Sequence, residues 1–162
     1  MTREISLTQG KTALVDDDKF HEIGQYKWFC SQGYACRMER RDGKRRVVHM
    51  HHYILSKRRG YDIDHINGDR SDNRRANLRY ATRSQNNANR HVPIVASSRF
   101  KGVCWRPIPK RWKAYIKKDG RQIHLGYFGT QEEAARAYND AALHYFGEYA
   151  SLNVLEETHE TR

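Results

Sequence analysis

The stretch GYDIDHINGDRSDNRRANLRYATRSQNNANR, residues 60–90, decides the fold of the first half of this chain. It opens with YDID, whose alternating polarity predicts a short strand that ends at His65. The loop that follows is full of Gly, Asn and Asp, which favour turns. LRYA predicts a second strand, and the capping-box pair of Thr82 and Gln85 predicts a helix from about Arg83. The expected order is therefore strand, loop, strand, helix.

The segment before residue 60 carries mainly strand signals. Its β-branched and aromatic runs are ISLT, TALV, YKWFC, GYACRM and RRVVHMHHYIL, and such runs are typical of strands. Asp42-Gly43 lies between two of them and predicts a tight hairpin turn. HMHHYILSKRRG predicts a short helix after the last strand. We therefore expect a β-rich extension ahead of the strand-loop-strand-helix unit.

The charge distribution favours an anionic polymer as the partner. The chain has 162 residues, with a net charge of +11 and a pI of about 9.8, and this length suits one ordinary domain or two small ones. Lys and Arg are concentrated in residues 37–90, which sum to +9, and in residues 95–125, which sum to +8. The flanking residues 1–36 and 131–162 sum to −1 and −5. Two separate phosphate-binding surfaces would need this pattern.

The cysteines and the apolar runs indicate a cytoplasmic protein. Cys30, Cys36 and Cys104 form no CxxC pair, which predicts reduced thiols and argues against a cysteine zinc site. No apolar run approaches the length of a membrane span, and MTREISLTQG lacks the apolar core of a signal peptide. We expect no membrane association and favour a monomer.

A second module is predicted after HVPIVASS, residues 91–98, which has the composition of a linker. Three strand-like runs come next, FKGVCWR, RWKAYIKK and RQIHLGYF. Thr130 and Glu133 predict the capped start of a helix, an alanine-rich stripe continues it, and Gly147 predicts its end. Because alanine is small, this helix can sit close to a sheet. We expect a three-stranded antiparallel sheet with one packed helix.

The residues of the opening stretch resemble the HNH nuclease motif. Asp64-His65 is followed by Asn77-Leu78, twelve residues after the His, and by Asn86 nine residues later. The predicted element order is also that of the ββα-metal fold of this family. The resemblance is strongest to phage and intron-encoded homing endonucleases, in which the last His of the motif is often Asn. For a phage protein, the expected location is the cytoplasm of the bacterial host.

The chemistry of phosphodiester hydrolysis gives these residues distinct roles. The reaction needs a nucleophilic hydroxide and a countercharge for the pentavalent phosphate. His65 is the candidate general base, because an ordinary imidazole pKa of about 6.5 leaves the ring largely neutral at pH 7. The resemblance implies that Asp64 and Asn86 ligate a divalent metal and that Asn77 holds the loop, so that the His65 ring keeps one orientation. Two oxygen ligands suit Mg²⁺, with Mn²⁺ possible. Arg90 stands where a second His is often found, which argues against tight Zn²⁺ or Ni²⁺ binding.

Residues 100–153 resemble an AP2 DNA-binding domain over nearly their whole length. Four segments match the family in order: GV at 102–103, RWKAYI at 111–116, HLGYFGTQEEAARAYNDAA at 124–142 and YASLN at 149–153. The family lays its three-stranded sheet into the DNA major groove and braces the sheet with its helix. By resemblance, six residues occupy or neighbour DNA-facing positions: Arg106, Lys113, Tyr115, Lys117, Gln122 and His124.

Alternation along RWKAYIKK supports this geometry. Trp112, Ala114 and Ile116 are expected to face the helix, and the basic and aromatic residues between them are expected to face DNA. Cys104, Gln122 and His124 replace residues that read DNA in the plant domains. The plant target sequence therefore does not carry over to this chain.

The combined expectation is an α+β protein with two modules. Residues 1–92 form the HNH nuclease domain with its β-rich extension, residues 93–98 the linker, residues 99–155 the AP2-like domain and residues 156–162 a polar tail. The expected function is a site-preferring endonuclease that nicks double-stranded DNA by a one-metal mechanism.

Other interpretations stay open at the level of sequence. A DNA-binding transcriptional regulator with an inactive HNH scaffold has the same charge pattern, and an RNA-binding protein would use the aromatic side chains of Tyr34, Tyr80 and Tyr115. The three histidines of HMHH also allow two interpretations. These are His49, His51 and His52. In one interpretation they lie at a strand end with one or two buried rings, and in the other His51 lines the active site.

Overall fold

The chain folds into two compact units, Met1–Thr82 and a second unit that begins at Arg83. The computed structural model describes residues 1–90 and 97–155. Both units mix helices with strands, and the sheets are small and antiparallel, so the predicted α+β class is confirmed. The predicted linker falls mostly on residues 91–96, outside the described residues, and the domain boundaries stay a prediction.

Three antiparallel sheets form within residues 1–82. β1 pairs with β2, β3 to β5 form a meander, and β6 pairs with β7. The strands are β1 (Thr2–Ser6), β2 (Thr12–Asp16), β3 (Phe29–Ser31), β4 (Tyr34–Arg41), β5 (Lys44–His49), β6 (Asp62–His65) and β7 (Leu78–Ala81). The turn at Asp42-Gly43 is as predicted, since φ is 52° at Asp42 and 73° at Gly43. Both values are the left-handed ones that a tight hairpin turn requires.

Two helices accompany these sheets, α1 (Asp17–Gly24) and α2 (His51–Ile54). α2 agrees with the predicted short helix after the last strand of the extension. α1 was not predicted, because the run of aspartates that begins it suggests a break between strands. Asp17 and Asp18 lie in its first turn, where the helix dipole stabilises negative charge. Ile23 anchors the helix in the core with 0% of its surface exposed.

The β1–β2 hairpin supports the loop that carries the HNH motif. Leu14 of β2 donates its backbone N–H to the carbonyl of Ser71 at 2.9 Å and accepts from the N–H of Asn73 at 2.8 Å. The carboxylate of Asp16 accepts from the N–H of Arg75 at 2.7 Å. The N-terminal extension therefore fixes the backbone of the loop between β6 and β7, in addition to burying its own residues in the core.

The second unit contains α3 (Arg83–Asn89), β8 (Val103–Arg106), β9 (Arg111–Lys118), β10 (Arg121–Phe128) and α4 (Gln131–Phe146). β9 is the central strand of its sheet. α4 packs on that sheet through its small residues, and Ala134 and Ala142 are almost fully buried. The predicted capping box is present, because the Thr130 hydroxyl accepts from the N–H of Glu133 and the Glu133 carboxylate accepts from the N–H of Thr130.

The helices of the structure are short. α4 spans 16 residues, and no helix in residues 1–90 or 97–155 is long and apolar enough to cross a membrane.

Candidate active site and nucleic-acid interface

Asp64 and His65 lie at the end of β6, as the sequence predicts. Pairing with β7 sets Asp64 opposite Arg79 and His65 opposite Leu78. Both side chains are buried, with 4% of Asp64 and 5% of His65 exposed. A buried carboxylate beside a buried imidazole is costly unless each has polar partners, and the structure supplies these partners.

Arg79 is the partner of Asp64. Its Nε donates to Oδ2 of Asp64 at 3.0 Å, and both side chains are largely withdrawn from solvent. A buried pair of this kind holds a carboxylate in a fixed position, and loss of one partner is strongly destabilising. Sequence reasoning missed this role of Arg79. The available signal was its place two residues after Asn77, on the strand predicted to pair with YDID.

The His65 ring is held by Asn73. Nε2 of His65 lies 3.4 Å from Oδ1 of Asn73, and the Asn73 amide nitrogen donates to the carbonyl of Ser71 at 3.0 Å. The second contact turns the amide oxygen towards His65. Because an amide oxygen only accepts, this contact favours the tautomer that carries the ring proton on Nε2, which makes Nδ1 the candidate basic nitrogen. Burial lowers the pKa of His65, partly opposed by this contact and by the nearby carboxylates, so the ring is neutral at pH 7.

The upstream histidines pack around the same site. The His51 ring is 7% exposed, and its centroid lies 5.3 Å from that of His65. Burial, together with the neighbouring histidines, lowers the pKa of His51. The centroid of the Tyr34 ring lies 6.0 Å from that of His65. Of the two interpretations left open, the structure combines both: the His51 ring is buried and lies beside the candidate base, whereas His49 and His52 are half-buried.

Asn77 fastens the loop rather than the ring directly. Its Oδ1 accepts from the N–H of Asn67 at 3.0 Å, and its Nδ2 donates to the carbonyl of Asp72 at 2.8 Å. Asp72 in turn accepts from Nε and Nη2 of Arg74 at 2.8 and 2.6 Å. These hydrogen bonds with Arg74 lower the pKa of Asp72 despite its burial. Several Asn and Asp residues of the opening stretch are therefore structural ties of one loop.

Asn86 lies on α3, in the unit that begins at Arg83. Among residues 1–90 and 97–155, no three His, Cys, Asp or Glu side chains stand together as a metal-binding group. The predicted donor set, one carboxylate from Asp64 and one amide oxygen from Asn86, needs no such group. Two hard oxygen donors, with the remaining positions taken by water and phosphate, are typical of Mg²⁺. The donor chemistry therefore fits a weakly held divalent cation.

The sheet of the second unit gathers the predicted DNA-facing residues on one face. The register pairs Lys113 with Cys104, Tyr115 with His124, and Lys117 with Gln122, and paired residues share a face. Arg106 belongs to the same face, since it is paired with Arg111, two residues before Lys113. On the other face, Ala114 and Ile116 pack against α4. The alternation predicted for β9 is therefore correct.

Tyr127 joins this face although sequence alternation places it on the other. The register shifts between His124 and Gly126, which is a β-bulge that inserts one extra residue. The shift sets Tyr127 opposite Lys113, and the Tyr127 ring lies 4.8 Å from that of His124. Strict alternation from His124 would have put Phe128 on this face, but Phe128 packs in the core. The glycine inside the strand was the available signal for the bulge.

A buried Asp-His pair on a strand-loop-strand motif, with a separate basic and aromatic sheet face, defines a two-module protein of the nucleic-acid-binding class. The HNH endonuclease family model matches residues 45–88, and the AP2 domain model matches residues 98–148. An uncharacterized HNH endonuclease of Acanthamoeba polyphaga mimivirus is 34% identical over 156 residues, covering 91% of this chain and 78% of that relative. The chain therefore belongs to the HNH endonuclease family and carries an AP2 domain.

Plant relatives match the AP2 part alone. APETALA2-like protein 2 of Oryza sativa subsp. indica is 39% identical over 64 residues, which is 40% of this chain and 15% of that protein. An AP2/ERF and B3 domain-containing protein of Oryza sativa subsp. japonica is 47% identical over 57 residues, which is 35% of this chain and 15% of that protein. These likenesses support DNA binding by the second unit.

Proposed function

We propose that this protein is a site-preferring DNA endonuclease that hydrolyses one phosphodiester bond of duplex DNA per binding event. The observation that carries the proposal is the buried Asp64-His65 pair, in which the neighbouring loop holds His65 as a neutral, oriented base. Membership of the HNH endonuclease family and the AP2 domain support a DNA-binding nuclease. One candidate site per chain supports nicking rather than a concerted double-strand break.

His65 performs the proton transfer in this proposal. Nδ1 of His65 accepts a proton from a water molecule as its oxygen attacks the phosphorus, and the bond from phosphorus to the sugar oxygen breaks. That oxygen leaves as an alkoxide and takes a proton from solvent water. Asn73 and His51 keep the ring in position while it becomes positively charged. The nearby carboxylates of Asp64, Asp69 and Asp72 favour the charged ring, so they stabilise the protonated base after the transfer.

Asp64 and Asn86 would hold the divalent cation, most simply Mg²⁺. When bound, such an ion supplies positive charge to the phosphate oxygens and to the leaving oxygen. Arg79 fixes the Asp64 carboxylate before the ion arrives, which lowers the entropy lost on coordination. Asn77 acts indirectly, because it closes the loop between β6 and β7 and so positions the backbone that carries His65.

The AP2 sheet holds the enzyme near its site. A second, tethered DNA-binding surface raises the effective concentration of the nuclease module at the target, so two weak contacts give a strong one. Lys and Arg side chains on the sheet face would contact phosphates, and the polar and aromatic side chains of Gln122, His124 and Tyr115 would contact base edges.

A supercoiled-plasmid assay in Mg²⁺ tests the proposed activity. We expect open-circular product that disappears when EDTA removes the metal. A plasmid whose mobility shifts without cleavage, with genomic DNA and Mn²⁺ also giving no breaks, would instead identify a DNA-binding protein with an inactive HNH scaffold.

Neutralising the AP2 sheet face should weaken DNA binding and its salt dependence. In a Lys113→Gln/Lys117→Gln variant, the slope of log K against log salt should fall by about 2, since each lost phosphate contact removes about 0.9. Fluorescence anisotropy with labelled duplex DNA measures the slope. Lys118→Gln/Arg136→Gln carries the same charge change away from this face. An equal loss in both variants would show that net charge, rather than this face, governs binding.

A further inference from the structure

The hairpin of β4 and β5 projects from the first unit as a ribbon of positive charge. Every residue from Arg40 to Val47 is exposed. Six cationic and two acidic side chains lie between Arg37 and Arg46, a net charge of +4. The hairpin contains neither candidate metal ligand and no residue of the AP2 sheet, and the proposed function gives it no role.

Strand pairing sets like charges directly opposite each other near the tip of the hairpin. Arg40 is paired with Arg45, and Arg41 is paired with Lys44. Like charges at opposite positions destabilise a strand pair. A polyanion along the hairpin would relieve this repulsion, and duplex DNA supplies one negative charge per about 1.7 Å of its axis.

One face of the hairpin is tied to the protein core at its base. Ala35 is buried there, and Arg37 follows it on the same face. Nε of Arg37 donates to the hydroxyl of Tyr53 at 2.7 Å. Towards the tip, this face ends in Arg41 and Lys44. We call it the core-side face.

The opposite face leads at its base to the candidate catalytic histidine. Sγ of Cys36 lies 3.4 Å from Nδ1 of His49, its partner across the strands. The His49 ring stacks on His51 with centroids 5.3 Å apart, and the His51 ring lies 5.3 Å from that of His65. We call this the site-side face, because it runs without interruption from the general base onto the ribbon.

The site-side face becomes apolar and then cationic towards the tip. Met38 and Val47 are paired across the strands, and they are 49% and 52% exposed. Arg40 and Arg45 form the next pair outward. At a strand rise of about 3.3 Å per residue, Arg45 lies about 13 Å from His49, four residues away. That length spans about four phosphates of one strand of duplex DNA.

We infer that the site-side face of this hairpin is a DNA-binding arm that grips the duplex beside the scissile phosphate. Arg40 and Arg45 contact backbone phosphates. Met38 and Val47 lie against the DNA groove that these phosphates border. The major groove of B-DNA admits a two-stranded ribbon of this kind. The position of the arm relative to the cut rests on the proposed function, because that proposal places the scissile phosphate at His65.

The test compares two charge-matched variants of the same hairpin. Arg40→Gln/Arg45→Gln neutralises one opposed pair on the site-side face, and Arg41→Gln/Lys44→Gln neutralises the other on the core-side face. Both variants remove two charges and one like-charge repulsion at neighbouring positions of the hairpin, so the main difference between them is the face. Circular dichroism melts check that both fold as the wild type does.

Binding is measured by anisotropy with a labelled duplex of mixed sequence in EDTA, so that no cleavage is needed. The site-side variant should lose about 10- to 100-fold in affinity near 0.1 M salt, and its salt slope should fall by about 2. The core-side variant should lose less than about threefold, through its net charge alone. Equal losses of affinity in the two variants, or wild-type affinity in the site-side variant, would contradict the inference that the site-side face binds DNA.

Plasmid cleavage in Mg²⁺ separates this inference from the nuclease proposal. If the wild type binds but does not cut, the nuclease proposal fails. The difference in DNA affinity between the two variants in EDTA still tests whether the site-side face binds DNA. If the wild type cuts, the site-side variant should nick more slowly at subsaturating protein. Nicking at the wild-type rate under that condition would also overturn the arm.

Discussion

Replacing His65 with alanine should lower the rate of plasmid nicking by about two to four orders of magnitude, the usual scale for a lost general base. The substitution removes the group that takes the proton from the attacking water in the proposed mechanism. The AP2 sheet face and the arginines proposed to bind phosphate are untouched, so DNA affinity should stay near that of the wild type. Single-turnover nicking and anisotropy measure the two quantities separately.

His52→Ala is a suitable control for the loss of an imidazole from the same cluster. The His52 ring centroid lies 4.4 Å from that of His51. Burial, Lys57 and His49 lower the pKa of His52 to about 4, so its removal changes no charge near pH 7. This variant should still cut. Comparable nicking by His65→Ala and the wild type would remove His65 from the mechanism, and an equal defect in both variants would show that packing causes the loss.

Gly102→Ala should strongly destabilise the second unit. Gly102 has a φ of +72°, and an added Cβ would lie 2.5 Å from the carbonyl oxygen of Tyr115 and still closer to the Tyr138 ring. The carbonyl of Gly102 accepts the N–H of Tyr115 at 2.8 Å, so the backbone cannot withdraw without losing that bond. Left-handed strain of about 1–2 kcal/mol and overpacking of about 1–3 kcal/mol together remove about 2–5 kcal/mol of unfolding free energy.

Gly120→Ala is a control that has the backbone strain of Gly102→Ala without its steric contact. Gly120 has a φ of +78°, and a Cβ there would meet no atom within 4 Å. This variant should lose only the strain, about 1–2 kcal/mol. Urea denaturation followed by tryptophan fluorescence measures the midpoints; Trp105 and Trp112 report on the second unit and Trp28 on the first. If the two variants have the same midpoint, the close approach of Gly102 to Tyr138 contributes nothing.

Local signals predicted most of the secondary structure because, in these elements, neighbouring residues favour the conformation that the folded chain adopts. The turn at Asp42-Gly43, the strand that ends at His65 and the helix that starts after Thr130 each depend on a few neighbouring residues. Such features need no knowledge of distant contacts. The alternation in β9 was predictable for the same reason, since one face of a strand is buried and the other is not.

The catalytic environment depends on partners that are distant in sequence. Arg79 meets Asp64 only because β6 and β7 pair in one register. Asn73 meets His65 because the loop is fastened at Asn77. Most of the amide and carboxylate side chains of this loop form hydrogen bonds that hold the loop, and only a few are candidates for a direct role in catalysis.

The sequence by itself determined the HNH motif and the AP2 domain, because residue types and spacings carry that information. The candidate base and the metal ligands implied by the resemblance stay predictions. Tertiary structure alone decided which polar groups are buried together, since long-range packing sets desolvation and pairing. It anchored α1 through Ile23, and a one-residue bulge turned Tyr127 onto the face of the sheet that carries Lys113 and His124. It also set the paired arginines of the β4–β5 hairpin on the face that leads to His65, because strand register fixes which side chains share a face.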